Sequence, residues 1–149
     1  MCLFFARGAC NLGHKCNRRH RVPTEEGFDV LIDCFGRNRE ATEGPDQNGP
    51  GSVLLENRTL FVGDFGSDCT EDTLRQAFQT FGQIVQVRFF PQKSLAFVQF
   101  NWRSSAEFAK EAMSQQVVGT GAVVSVRWAK VRRRMIVWPM QARSRVQSC

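Results

Sequence analysis

From Arg58 onward the apolar positions alternate between two periods. Thr59–Gly63 reads as a short β run. Thr70 follows as a helix cap, and Leu74, Ala77, Phe78 and Phe81 recur at i, i+3, i+4 and i+7, a helical stripe that Gly82 ends. Ile84–Phe90 alternates with period two, which predicts Val85, Val87 and Phe89 on one face. Residues 93–100 alternate again. Ser104 and Glu107 have the spacing of a capping box and open a second helix through Met113. A turn at 119–121 then leads into a last strand over 122–129. The order is βαββαβ over residues 58–131, an α+β arrangement of the split ferredoxin-like type.

The same alternation assigns each side chain a face. Leu60, Val62, Ala96, Val98 and Phe100 point at the helices, whereas Phe61, Leu95, Phe97 and Gln99 point at the open side of the sheet, where Arg88 and Arg127 join them. Phenyl rings grouped on an open face call for a partner. The runs LFVGDF at 60–65 and KSLAFVQF at 93–100 resemble the two signatures of the RNA-recognition motif. That resemblance implies unpaired bases stacked on Phe61 and Phe97, with Arg88, Arg127 and Lys93 available to phosphate or to cation–π contact. Two positions depart from the pattern: Leu95 stands where an aromatic is usual and Ser94 where glycine is usual. One stacking ring is thereby lost, and affinity then depends on adding a second RNA-binding element through effective concentration. The alternative is that a C-terminal segment or another protein covers the two rings.

The second element stands at the start of the chain. Cys2, Cys10, Cys16 and His20 are spaced C-x7-C-x5-C-x3-H. Three thiolates and an imidazole suit one tetrahedral zinc, and four protein ligands leave no open position for a reacting water, so the site is structural. A segment this short buries no core of its own, and metal binding is its folding free energy. Arg7, Lys15, Arg18, Arg19 and Arg21 surround the ligands with no acidic residue before Glu25, a composition that attracts phosphate. Phe4 and Phe5 either stack on bases or pack against the metal site. The spacing resembles the CCCH zinc fingers, most of which bind single-stranded RNA.

Between the two elements, Phe28, Val30, Leu31 and Ile32 precede Asp33-Cys34-Phe35-Gly36-Arg37, a connector that packs between the finger and the βαββαβ unit. Residues 40–52, EATEGPDQNGPGS, read as a flexible linker. The organisation is a finger at 1–22, connector and acidic linker at 23–57, the βαββαβ unit at 58–131 and a basic tail at 132–149, in which Met135, Ile136, Val137 and Trp138 dock on a partner or stay disordered. The net charge of +6 is unevenly placed: five basic and no acidic residues at 1–21, eight acids against two arginines at 22–57, and five more arginines in the tail. Two basic ends point to an anionic partner met at more than one place. With three of six cysteines assigned to the finger, the scattered Cys34, Cys69 and Cys149 fit a reducing, intracellular compartment better than a disulfide framework. Leu3 to Ala6 is too short an apolar run for a signal peptide, and no stretch is long enough to span a bilayer. Paired catalytic carboxylates, a phosphate loop and a nucleophile–base spacing are all missing, so a non-enzymatic protein is expected.

A CCCH finger, a short connector and a single RNA-recognition motif, in that order, resemble the splicing factors of the CWC series associated with the nineteen complex of the spliceosome. The matching stretches are CLFFARGAC, DCFGR, LFVG, AEFAKEAM and VRWAK, and they run from Cys2 to about Lys130. The resemblance implies a nuclear protein with one structural zinc that contacts U6 small nuclear RNA and pre-mRNA intron, holds the catalytic RNA in its active shape, and neighbours nineteen-complex proteins, with no membrane or small-molecule substrate involved. Two other classes compete. One is a protein-interaction module gripping a splicing-factor peptide, a variant that usually carries Arg-x-Phe in the loop before the last strand, where this chain has QVVGTGA at 116–122. The other is a cytoplasmic regulator of messenger RNA, which the connector and second-helix resemblance disfavours.

Overall fold

The computed structural model describes residues 1–24, 29–41 and 47–130. Phe28, the stretch 42–46 and the tail from 131, with Arg132 to Arg134 and Met135 to Trp138, lie outside the described residues. The elements in chain order are α1 (Leu3–Ala6), β1 (Thr59–Gly63), α2 (Glu71–Gln79), β2 (Ile84–Phe90), β3 (Leu95–Phe100), α3 (Arg103–Met113), β4 (Val117–Val118), β5 (Ala122–Val123) and β6 (Ser125–Trp128). Strands β2-β3-β1-β6 form one antiparallel sheet, and β4 and β5 make a separate hairpin.

The core lies between this sheet and two helices. Leu60, Val62, Ala96, Val98 and Phe100 are fully buried and meet Leu74 and Phe78 of α2 and Ala106 and Ala109 of α3. Thr70 caps α2, its hydroxyl accepting from the Thr73 amide at 3.2 Å, while Glu71 and Asp72 face the positive end of the helix dipole.

Four expectations change. Val85 is 59% exposed, because a β-bulge between Ile84 and Gln86 makes it the extra residue; Val87 and Phe89 keep the core side. β3 begins at Leu95, after a 3₁₀ turn at Pro91–Lys93 and a left-handed Ser94 at φ 48°. The last strand is divided: residues 122–123 pair with β4, the chain turns inward at the buried Val124, and only β6 joins β1. The capping box does not form. Trp102 stands at the N-cap of α3 without a side-chain cap bond, and Glu107 instead reaches Arg39 and Arg103.

That last change reflects what covers α3. From Arg103 to Glu111 every residue of the helix is buried, the sheet on one side and the finger and connector on the other. A helix covered all round is ordinarily apolar all round. Here four charges are buried and each is paired. The Glu107 carboxylate meets Arg39 at 2.5 Å and Arg103 at 3.2 Å, and accepts from the Cys34 amide at 2.9 Å. Burial pushes the Glu107 carboxyl up against the pull of those guanidiniums. Glu111 meets Lys110 at 3.0 Å, Arg37 at 3.1 Å and Arg7 at 2.9 Å; burial would raise it too, but these cations outweigh burial and hold it low. Phe35 adds an apolar contact, its ring 5.7 Å from that of Phe108.

The stretch read as a flexible linker is, where described, part of this cover. Arg103 lies 3.9 Å from the Trp128 ring centroid and donates to the carbonyls of Pro50, Ser52, Leu54 and Asn57. Trp128 donates through Nε1 to the Gly49 carbonyl at 3.0 Å, and Lys110 to that of Asn48. Gly51, at φ +82°, fits because a Cβ there would come within 2.5 Å of the guanidinium. Glycine and proline mark this segment as irregular, but carbonyls gathered by buried cations fix it in place.

Candidate nucleic-acid interface and metal centre

The finger is assembled by local backbone geometry. Cys2 caps α1, its Sγ accepting from the Phe5 amide at 3.4 Å, and Cys16 closes the 3₁₀ turn at Gly13–Lys15. Sγ of Cys2, Cys10 and Cys16 and a ring nitrogen of His20 all lie within 4.8 Å of one another. The Cys2 and Cys16 sulfurs are 3.8 Å apart. Two thiolates at tetrahedral angles and about 2.3 Å from one ion stand about 3.8 Å apart. The His20 Nε2 is buried with no hydrogen-bond partner, and as an unprotonated nitrogen its lone pair is one that a metal would satisfy.

The thiol chemistry agrees. Burial would raise Cys2, but the Phe5 amide and the neighbouring Cys16, His20 and Cys10 bring it down to about 7. Cys10, although bonded by the Leu12 amide, is pushed up by burial and by Cys2 and Cys16. Several thiols this close cannot all ionise unaided, and a divalent cation removes the conflict. The four residues therefore fit one metal ion. Phe5 stacks on the His20 ring at 4.6 Å and 12°, so it serves as a wall of the metal site. Phe4 is 61% exposed.

On the open face of the sheet the register sets side chains into three rungs. The middle rung is Arg88, Phe97, Phe61, Arg127, one from each strand in the order β2-β3-β1-β6. The Phe61 and Phe97 centroids are 5.7 Å apart, edge to face. Arg127 lies 4.5 Å from the Phe61 centroid and Arg88 5.9 Å from that of Phe97, so a cation flanks each ring. The rung on one side is polar: Gln86, Gln99 and Thr59. The rung on the other holds Phe90, Leu95, Gly63 and Ser125. Rings between guanidiniums beside amide and hydroxyl groups can stack on bases, meet phosphate and bond base edges.

The finger's basic residues divide into two groups. Lys15, Arg19 and Arg21 are exposed, and their side chains have no hydrogen-bond or ion-pair partner among the described residues. Arg7 is instead committed to Glu111, and Arg18 donates to the Phe35 carbonyl at 2.7 Å, so both hold the connector and α3 to the finger. Lys93 is exposed at the end of the 3₁₀ turn. Sequence reasoning missed Phe90, which is 38% exposed with its centroid 6.3 Å from that of Phe97. The alternation that sends Val87 and Phe89 inward sends Arg88 and Phe90 outward, so the signal was present.

Comparison with known proteins agrees with both halves. Residues 60–123 match the RNA recognition motif and residues 1–37 the Torus domain. The chain is 44% identical to pre-mRNA-splicing factor CWC2 of Debaryomyces hansenii, over 87% of this chain and 39% of that protein. It is 42% identical to pre-mRNA-splicing factor cwc2 of Dictyostelium discoideum, over 86% of this chain and 25% of that protein. Among solved structures, the C-terminal RRM domain of poly(U) binding 1 overlays 52% of this chain and 76% of its own, at 24% identity and a TM-score of 0.48. The chain thus spans well under half the length of the curated relatives it matches. It carries a Torus domain followed by an RNA recognition motif, and over that span it is similar to the pre-mRNA-splicing factors named CWC2.

Proposed function

We propose that this protein works in the nucleus as a non-enzymatic, RNA-binding component of the splicing machinery. Its partners in this reading are U6 small nuclear RNA and the pre-mRNA intron, with proteins of the nineteen complex as neighbours. The observation that carries the reading is the middle rung of the sheet, two phenyl rings between two arginines with no ion-pair partner among the described residues. The names of the relatives supply the splicing context.

The proposed division of labour follows from the side chains. Phe61 and Phe97 hold unpaired bases, each stack contributing roughly 1–3 kcal/mol. Arg88, Arg127 and Lys93 lie along the path of the backbone, Gln99 can bond a base edge, and Leu95 is the floor beside them. Lys15, Arg19 and Arg21 add phosphate contacts from the finger, with Phe4 as an exposed ring there. Cys2, Cys10, Cys16 and His20 hold one zinc, whose contribution is to fix the finger's shape. Because the finger, connector and α3 share the Ala6, Phe35 and Phe108 cluster and are tied by the buried Arg39–Glu107 pair and the more exposed pairs of Arg7 and Arg37 with Glu111, the two proposed RNA-contacting surfaces have a defined separation. A rigid two-point clamp can brace a structured RNA against the repulsion of its own phosphates.

The test is ultraviolet crosslinking of spliceosomes assembled with tagged protein, followed by sequencing of the attached RNA. U6 and intron sequence should be enriched. Phe61→Ala with Phe97→Ala should reduce that crosslinking and lower the affinity of purified protein for single-stranded RNA. An unchanged affinity in the double variant would overturn the reading.

A further inference from the structure

The third rung carries more than the sequence signature assigns to it. Leu95 occupies the position where an aromatic is usual, yet its partner across β2–β3 is Phe90. The substitution has therefore not emptied this part of the sheet of rings; a ring stands one strand over. Its surroundings suit a base. Arg88 lies 6.0 Å from the Phe90 centroid and 5.9 Å from that of Phe97, so one guanidinium serves both rings. The centroids of Phe61, Phe97 and Phe90 follow one another at 5.7 and 6.3 Å, a nearly even series. Gly63, the next member of the third rung, keeps the approach low, because a Cβ there would meet the Phe61 ring at 2.9 Å. Lys93, exposed on the turn that joins β2 to β3, adds positive charge at this end, and no acidic residue stands on any of the three rungs.

We propose that Phe90, over the Leu95 floor and beside Arg88, is a third stacking station that takes one further unpaired base of single-stranded RNA, next to the base on Phe97. The proposal rests on the reading that the sheet binds RNA, and deepens it by adding a nucleotide and fixing the direction in which the strand extends, from β6 toward the β2 edge. A base enters edge-on to the Phe97 ring and stacks on the Phe90 face, with Arg88 bridging toward the phosphate between the two bases. The station departs from the signature positions: a ring on β2 replaces one on β3.

The experiment is equilibrium binding of the whole chain to fluorescein-labelled oligouridines of two to eight nucleotides, by anisotropy at fixed salt. Phe90→Ala should weaken binding of the longer probes by roughly 5- to 150-fold, the range expected for one lost base stack. It should leave the dinucleotide, which Phe61 and Phe97 accommodate, within twofold of wild type. Phe90→Trp should restore the loss and show fluorescence quenching on RNA addition beyond that of wild type. Phe90→Leu keeps the apolar area without the ring and should fail to restore it. Phe90 is half-exposed at the sheet edge, and unchanged circular dichroism and melting temperature check that the variants are folded. If Phe61→Ala and Phe97→Ala weaken binding while Phe90→Ala does not at any length, the third station is wrong and the RNA-binding sheet stands. If none of the three has an effect, both fall. Full affinity in Phe90→Leu, or an equal loss at every probe length, also overturns the proposal.

Discussion

The two faces of the βαββαβ unit invert the usual distribution of polarity. The helix side, which most such units leave partly in water, is closed over α3 and contains Arg103, Glu107, Lys110 and Glu111. The sheet side is open and displays Phe61, Phe97 and Phe90. Buried charge tolerates no loose fit, since each group needs a partner at hydrogen-bond distance. It therefore specifies one arrangement of finger, connector and helix. The rings on the open face, Phe61 and Phe97 half-buried and Phe90 exposed, have no such requirement among the described residues and can meet a ligand. Charge inside fixes the frame, and apolar surface outside is where the proposed binding takes place.

The largest test of this contrast is metal removal. Structural zinc contributes on the order of 10–16 kcal/mol to small finger peptides near neutral pH. Chelation of the intact protein should therefore release residues 1–24 and with them the Arg7 and Arg18 contacts to Glu111 and the connector. Hydrogen exchange should show lost protection in the finger and in the connector amide of Cys34, while β1, β3 and the centre of the sheet stay protected. Simultaneous loss of sheet protection would mean that the two faces are one cooperative unit.

Next in size is Glu107→Ala. It takes the buried counter-charge away from Arg39 and Arg103, which keep only neutral carbonyl acceptors around Glu107's place, and removes the acceptor of the Cys34 amide. Breaking a buried pair from one side costs about 3–5 kcal/mol, which chemical denaturation would register. Phe61→Ala, by contrast, should leave stability within about 1 kcal/mol and act on RNA affinity. If Phe61→Ala destabilises as much as Glu107→Ala, the ring belongs to the core and the contrast collapses.

The open face was largely legible in the sequence, because strand period two places side chains without any knowledge of neighbours. Phe61, Phe97, Gln99, Arg88 and Arg127 stand where alternation puts them. It failed at Val85, where a bulge adds one residue that no local pattern announces. The closed face was not legible. Glu107 at i+3 from Ser104 has the spacing of a cap, and only the distant Arg39 and Arg103 in their folded positions divert it. The linker over 40–52 has the composition of a mobile segment, and its described part is ordered by cations from α3 more than fifty residues away in sequence. The ligand set of the finger could be read because all four residues fall within twenty positions. The roles of its arginines could not, since Arg7 and Arg19 look alike until the fold places Glu111 beside one of them.

That difference gives the smallest and most discriminating test. Arg7 pairs with Glu111 at 2.9 Å, but its side chain is 48% exposed, so solvent screens the interaction. Arg7→Ala should cost no more than about 1 kcal/mol, since Lys110 and Arg37 continue to hold Glu111. RNA binding then separates the two classes of arginine. Each phosphate contact to a single strand adds about 0.7 to the slope of log affinity against log salt. Arg19→Ala, which removes an exposed guanidinium with no partner among the described residues, should flatten the slope by about that amount. Arg7→Ala should leave it unchanged, because its charge is already matched within the protein. Titrations at several potassium chloride concentrations measure both. A flattened slope for Arg7→Ala with none for Arg19→Ala would show that the finger presents to RNA the face assigned here to α3, and that the division between a charged interior and a binding exterior has been drawn on the wrong side of the finger.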